Sequence, residues 1–285
     1  ISSEIGDNGY VVYAVFTYRD NITTNPPQQN GTLSGVYRSQ DNGTTWCKIG
    51  QYTNGFTPLS TTLSQQGNYD LVILSSQDGE SCMLGGINLW KWQHSVGGAC
   101  SSGQWNQETY SFLPNFLGPY THADNHRLLY NNNGDLIVGN DGGIQIRYKE
   151  PFGSVVIEQL PINKGYSVTQ FYAMAFDGEG SVIAGAQDNG TLYKDNTLYN
   201  HWDKDFKEVV GGDGFECAIS YLNSNAMIGT VYNGSISRSN DRGETFQQVN
   251  TGASGTDPFY NALALMENAE DYNTKDSVFY SPDIA

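Results

Sequence analysis

The chain has 285 residues, with 14 Lys and Arg against 30 Asp and Glu and a formal charge of −16 at pH 7. Such a field repels phosphates, which makes nucleic acid and anionic membrane surfaces poor partners. No apolar run approaches the ~20 residues of a membrane span, so direct membrane insertion is not expected.

Glycine (33) and tyrosine (19) are abundant, and no window carries an apolar i, i+3, i+4, i+7 stripe between caps. This pattern predicts an all-β chain of many short strands joined by turns. The first repeat, about residues 1–50, offers strands over Tyr10 to Tyr18, Leu33 to Ser39 and Thr45 to Ile49, with a polar loop through Asn25-Pro26-Pro27. Its innermost strand is expected ahead of Ile1. The second, about 67–112, runs Tyr69 to Leu74, Cys82 to Leu84, Ile87 to Trp92 and Gln104 to Tyr110. The third, about 122–160, runs Asp124 to Tyr130, Asp135 to Val138, Ile144 to Tyr148 and Ser154 to Leu160. The fourth, about 168–209, runs Gln170 to Phe176, Ser181 to Ala184, Thr191 to Lys194 and His201 to Val209. The fifth, about 213–250, runs Phe215 to Tyr221, Ala226 to Val231, Ser235 to Arg238 and Thr245 to Val249. A partial sixth, about 258–285, offers Tyr260 to Leu265 and Ser277 to Ser281.

Arg38, Lys91, Arg147, Lys194 and Arg238 close the third strands and fall 44 to 56 positions apart, close to the repeat of a four-stranded β-propeller blade. About five and a half blades leave unpaired strand edges, which invite aggregation. The chain also starts without Met and stops just after a predicted strand. The expectation is one propeller domain over 1–285, part of a longer chain with seven or more blades, whose remainder or a partner chain completes the ring.

Two octapeptides share their residue types in order: Ser39-Gln40-Asp41-Asn42-Gly43-Thr44-Thr45-Trp46 and Ser239-Asn240-Asp241-Arg242-Gly243-Glu244-Thr245-Phe246. An Asp that accepts the following backbone N–H groups, a Gly at positive φ and an aromatic folded back over the turn define a tight hairpin. The pattern carried by Ser39, Asp41, Gly43 and Trp46, and again by Ser239, Asp241, Gly243 and Phe246, resembles the structural Asp-box (BNR repeat) of sialidases, sortilin-type receptors and xyloglucanase-like glycosidases. The likeness extends through His122-x-Asp124-x-His126, Gly139-Asn140-Asp141-Gly142-Gly143, Gln170-Phe171-Tyr172, Gly185 to Thr191 and Gly211 to Glu216. As a series these resemble the propellers of long type IX-secreted surface proteins of Bacteroidota. The resemblance implies export, an extracellular or cell-surface location, and a role in binding or adhesion with polysaccharide or other surface proteins as partners.

Candidate chemistry falls in the turns between second and third strands and in the approaches to the innermost strands. Asp141, Asp188 and Asp213 are the candidate acids and bases of a glycoside hydrolase, which needs two carboxyls across the scissile bond; capping of their own turns is the structural alternative. His122, Asp124 and His126, alternating along an expected strand, would share a face and offer two imidazoles and a carboxylate to a metal; hydrogen bonding to the neighbouring turns is the alternative. Trp90, Tyr120, Tyr172 and Trp202 are candidate sugar platforms, with Trp92, Phe171 and Phe215 beside them; packing between sheets competes for the same rings. Asp- and Gly-rich turns also offer oxygen ligands to Ca2+, without EF-hand spacing. Arg38, Arg147 and Arg238 recur at strand ends as structural residues do, unlike the arginine cluster that a sialidase needs. The acceptor triplets at Asn30, Asn42, Asn189 and Asn233 fall in predicted turns.

Of four cysteines, Cys82 and Cys100 flank one hairpin and are the pair expected to bridge in an oxidising compartment, while Cys47 and Cys217 are expected to be buried thiols. Three functions stand: a binding or adhesion scaffold, a xyloglucanase-like hydrolase, and a structural subunit of a surface assembly.

Overall fold

The structure is a computed structural model that describes residues 2–6, 9–19, 30–52, 55–59, 66–111, 119–148, 159–161, 169–197, 206–250, 259–260 and 262–267. It is all-β. β1 (Ser2–Gly6), β2 (Gly9–Thr17), β3 (Leu33–Ser39) and β4 (Cys47–Gly50) form the first sheet, and β5 (Val72–Ser75), β6 (Ser81–Gly85), β7 (Leu89–His94) and β8 (Gly103–Gln107) the second. β9 (Asn125–Tyr130), β10 (Leu136–Asn140), β11 (Gly143–Arg147) and β12 (Gln159–Pro161) form the third. β13 (Ala173–Phe176), β14 (Val182–Ala186), β15 (Gly190–Lys194) and β16 (Lys207–Val210) form the fourth, and β17 (Gly214–Ile219), β18 (Met227–Val231), β19 (Ser235–Ser239) and β20 (Gln247–Gln248) the fifth. Within these five sheets every described strand pairing is antiparallel between chain neighbours, as in Leu136 opposite Arg147 or Ile183 opposite Tyr193. Successive four-stranded meanders of this kind are the blades of a β-propeller, the fold class that the repeat length predicts. The first sheet carries its own innermost strand, β1, which corrects the expectation that this strand lies ahead of Ile1. No strand is present over Tyr260 and 262–267, contrary to the predicted sixth repeat, and Ser277 to Ser281 lies outside the described residues.

The described chain divides into two compact units, Ile1–Ser167 and Val168–Ala285. In the first, β1 and β2 pack against β5, and β5 and β6 against β9. Alternating strand residues fill the seams: Tyr13, Val36, Leu84 and Trp92 are buried in one cluster, and Met83, Leu89, Leu128 and Val138 in another. Arg38 is wholly buried among them, donating from Nε to Tyr13 Oη at 3.1 Å and from Nη2 to the Gly79 carbonyl at 3.4 Å, with its guanidinium over the rings of Tyr13 and Trp92. Arg147 is buried too and pairs with Glu108 at 3.2 Å. In the second unit β13, β14 and β15 pack against β17 around Ile183, Tyr193, Cys217, Ile219 and Met227.

The disulfide joins Cys47 to Cys100, with Cα atoms 6.0 Å apart, which corrects the expected Cys82–Cys100 pair. Cys82 lies opposite Trp92 in the β6–β7 ladder with its thiol buried in the core, whereas Cys100 sits in the β7–β8 loop, and Cys47 opens β4. Cys217 is a buried thiol as expected.

Candidate functional site

The first unit gathers carboxyls around the approach to β9. Asp124 holds φ at 63° and β9 begins only at Asn125, so His122, Asp124 and His126 do not alternate on a strand as predicted. Among the described residues, their ligand atoms do not gather as a metal trio. His122 turns its ring back to the Ala123 carbonyl (Nδ1 at 3.1 Å), its backbone N–H meeting the Gln145 amide oxygen at 3.3 Å. His126 instead places Nε2 2.7 Å from Asp141 Oδ1, while Tyr69 donates its hydroxyl to Asp141 Oδ2 at 2.7 Å. Asp141 therefore links the β10–β11 turn to β9 and to the segment ahead of β5, while the side chain that accepts the turn's own Gly142 N–H, at 3.1 Å, is that of Asn140.

Beside it lies a residue that the sequence reading passed over as strand. Asp70 is wholly buried just before β5, and the Gln66 amide donates to both Asp70 Oδ2, at 3.3 Å, and Asp124 Oδ1. Burial, then the charge of Asp124, pushes the Asp70 carboxyl well above its ordinary range; burial, then the charge of Asp141, raises Asp124. The local sequence offers only an acidic residue three positions after Gly67, which reads equally as a turn.

In the second unit Asp188 sits in the β14–β15 turn at φ 64°, and its N–H donates to Asp213 Oδ1 at 3.0 Å. This bond ties that turn to the start of β17. Around the same strand lies an aromatic patch. Phe215 is wholly buried, and Tyr172, Phe259 and Tyr260 meet it edge to face at centroid distances of 5.0, 5.1 and 5.7 Å. Tyr232 stacks on Phe259, and Tyr172, Tyr232, Phe259 and Tyr260 are all exposed, 53% in the case of Tyr172. The hydroxyl of Tyr172 donates to Gln187 Oε1 at 2.9 Å and that of Tyr260 to Glu216, a bond that pushes the Tyr260 phenol up to about 12. Phe171 lies apart, tilted against Phe206.

Of the four predicted sugar platforms, Tyr172 belongs to this patch. Tyr120 is partly exposed in the first unit, bridged to Tyr110. Trp90 is a correction: its ring is buried edge-on against Phe56, at 5.2 Å, because its side of β7 faces the core, and it offers no open face. Trp202 lies outside the described residues. Tyr232, Phe259 and Tyr260 were not foreseen, since the rings converge only through packing on Phe215.

The fold class is thus that of a β-propeller. No protein-family model and no curated protein matches the chain. Among solved structures it is similar to YCF48 bound to D1 peptide, at 14% identity over 82% of this chain and 69% of that one, with a TM-score of 0.26. It is similar to virginiamycin B lyase from Staphylococcus aureus at 12% identity over 87% of this chain and 69% of that one, TM-score 0.30. An ancestral GH74 enzyme is matched at 14% identity over 87% of this chain and 36% of that one, TM-score 0.45.

Proposed function

We propose that this chain is a glycan-binding propeller of an exported or cell-surface protein, a scaffold rather than a catalyst. The observation that carries the reading is the patch of Tyr172, Tyr232, Phe259 and Tyr260 over Phe215, with Gln187 and Glu216 at its edge. Exposed aromatic faces suit the apolar C–H face of a sugar ring, and amide or carboxylate groups at the rim suit its hydroxyls. The charge of −16 favours a neutral polysaccharide over an anionic one.

The Cys47–Cys100 disulfide supports an oxidising, extracytoplasmic compartment. Both octapeptides close with the same hydrogen bonds, which supports reading them as Asp-boxes of the sortilin and xyloglucanase-like kind. The scaffold is favoured over a hydrolase because both oxygens of Asp141 are engaged, by His126 and Tyr69, and Asp213 is bonded to the Asp188 N–H.

The test is affinity electrophoresis in gels containing xyloglucan or another neutral β-glucan, with the Tyr172→Ala/Tyr260→Ala variant alongside. Retardation of the native chain, weakened about tenfold or more in the variant, is the expected result. Equal mobility with and without every glycan tried overturns the reading. Release of reducing sugar transfers the chain to the hydrolases.

A further inference from the structure

We propose that the groove between the second and third sheets of the first unit binds a carboxylate carried on a short apolar group. The groove measures about 460 Å³, the size of a small-molecule site. Strand register builds it from both sheets. Met83 of β6 stands opposite Lys91 of β7, and Leu136 of β10 stands between Tyr130 of β9 and Arg147 of β11. Residues opposed in a ladder share a face, and Met83 and Leu136 belong to one buried cluster, so Lys91, Tyr130 and Arg147 line the groove around an apolar floor.

The charged groups of this lining divide into acceptors already engaged and donors that are not. Asp78 Oδ1 accepts from Ser76 Oγ at 2.5 Å and from the Glu80 N–H at 3.0 Å, and Glu108 Oε2 accepts from Arg147 Nη2 at 3.2 Å. On the donor side, Arg147 is only 5% exposed, and its Nη1 meets no acceptor among the described residues. Lys91 forms no ion pair among them. Arg38, at the same place in the first sheet, shows the closed form of such a seam. Its Nη1 also lacks an acceptor, but its guanidinium lies over the rings of Tyr13 and Trp92, and its other nitrogens reach Tyr13 Oη and the Gly79 carbonyl. Arg147 lies instead at a groove, with Glu108 as its bonded partner.

A buried guanidinium nitrogen left without an acceptor is costly. A carboxylate suits it, because its two oxygens accept charge-assisted bonds from a guanidinium and an ammonium together. Met83 and Leu136 add the preference for an apolar group beside the carboxylate. The charge of −16 slows the approach of any anion, but at 0.1 M salt its reach is about 10 Å, and the contact is decided by the groups in the groove. The site is independent of the aromatic patch of the second unit, so either can fail without the other.

The test is titration of the full chain with N-acetyl-leucine, followed by saturation-transfer NMR, with N-acetyl-leucinamide as the probe that lacks the carboxylate. Saturable binding of the acid at a Kd of about 1 mM or below, and about tenfold weaker binding of the amide, is expected. Lys91→Gln, at a half-buried position, is expected to weaken binding of the acid about threefold or more, and Arg147→Lys further. If Arg147→Lys does not fold, Lys91→Gln alone decides. An acetylated tetrapeptide ending in a free Leu carboxylate separates the two sources of such a ligand: tighter binding than the acid assigns the end of a polypeptide, weaker binding a small organic acid. Equal affinity for acid and amide overturns the proposal, as does a Kd unchanged in the folded variants. So does the absence of binding by both acid and peptide up to about 20 mM, which would leave Arg147 Nη1 to water alone.

Discussion

Arg242 donates from Nε to Asp195 Oδ2 at 2.8 Å, so the turn after β19 is clamped to the residue that follows β15. Its Nη2 also bonds Glu179 and lies 3.9 Å from Asp177, both in the β13–β14 turn. Arg242 holds φ at 61°, and in the other octapeptide Asn42 stands in the same place at 58°, accepting the Tyr10 N–H at 2.8 Å. One left-handed position thus serves two different cross-links. Arg242→Asn keeps a residue that tolerates the backbone and removes the clamp, with an expected loss of about 1–3 kcal/mol. Urea midpoints of this variant and of Asp195→Asn, combined in a double-mutant cycle, check it; additive losses would mean that the pair is not coupled.

Acid stability follows from the same turns. Asp41 accepts from Ser39 Oγ at 2.7 Å, the Thr45 N–H at 2.8 Å and Thr45 Oγ1 at 2.5 Å, and Asp241 repeats the set at 2.7, 2.9 and 2.5 Å. Hydrogen bonds to Thr45 and Thr245, first among the causes, hold both carboxyls down at about 2. The folded chain therefore binds fewer protons than the unfolded one between the ordinary carboxylate range and pH 2. The stability these groups contribute is present above that range and is lost as pH falls through it. Melting curves from pH 6 to pH 2 are expected to fall steeply for the native chain. The Asp41→Asn/Asp241→Asn variant should start lower and fall less; parallel curves would contradict the assignment.

The thiols divide cleanly. Closing a loop over a separation of 53 residues, the Cys47–Cys100 bond contributes about 4 kcal/mol. Burial pushes the Cys217 thiol up to about 12, and raises that of Cys82 as well. Mass mapping of the folded chain is expected to give one Cys47–Cys100 peptide pair, with Cys82 and Cys217 unreactive towards iodoacetamide until denaturant is added. A Cys82–Cys100 peptide would overturn this pairing.

What was legible in the sequence was whatever repeats locally. The strand pattern, the basic residue at each third strand and the two octapeptides are encoded within a few residues, and the sheets follow them to within a few positions. What was not legible depends on which sheet lies beside which. Cys47 and Cys100 belong to different sheets, so hairpin proximity favoured the wrong partner. Asp70 and Asp124 are 54 positions apart, and nothing in either segment announces the other. A single left-handed residue, Asp124, was enough to undo the alternation that would have put His122 and His126 on one face.

The glycine that opens two of these motifs tests the same distinction between local pattern and tertiary neighbour. Gly139 precedes Asn140-Asp141, and Gly185 precedes Ala186-Gln187-Asp188, each inside the second strand of its sheet. A Cβ on Gly185 would stand 1.8 Å from the Phe215 carbonyl oxygen and 2.9 Å from its nitrogen, and backbone cannot step aside. β17 packs directly on β14 there, and Gly214 is confined in the same way, its Cβ falling 2.3 Å from the Gly190 oxygen. On Gly139 the nearest atom is Arg127 Cβ, at 3.6 Å, an ordinary contact. Gly185→Ala is therefore expected to cost about 3 kcal/mol or more, or to leave the chain insoluble. Gly139→Ala should be within about 0.5 kcal/mol of the native chain, or gain up to about 1 kcal/mol by restricting the unfolded state. Thermal melts of the two variants decide it: equal losses would mean that the glycines serve the motif itself, and not the approach of the neighbouring sheet.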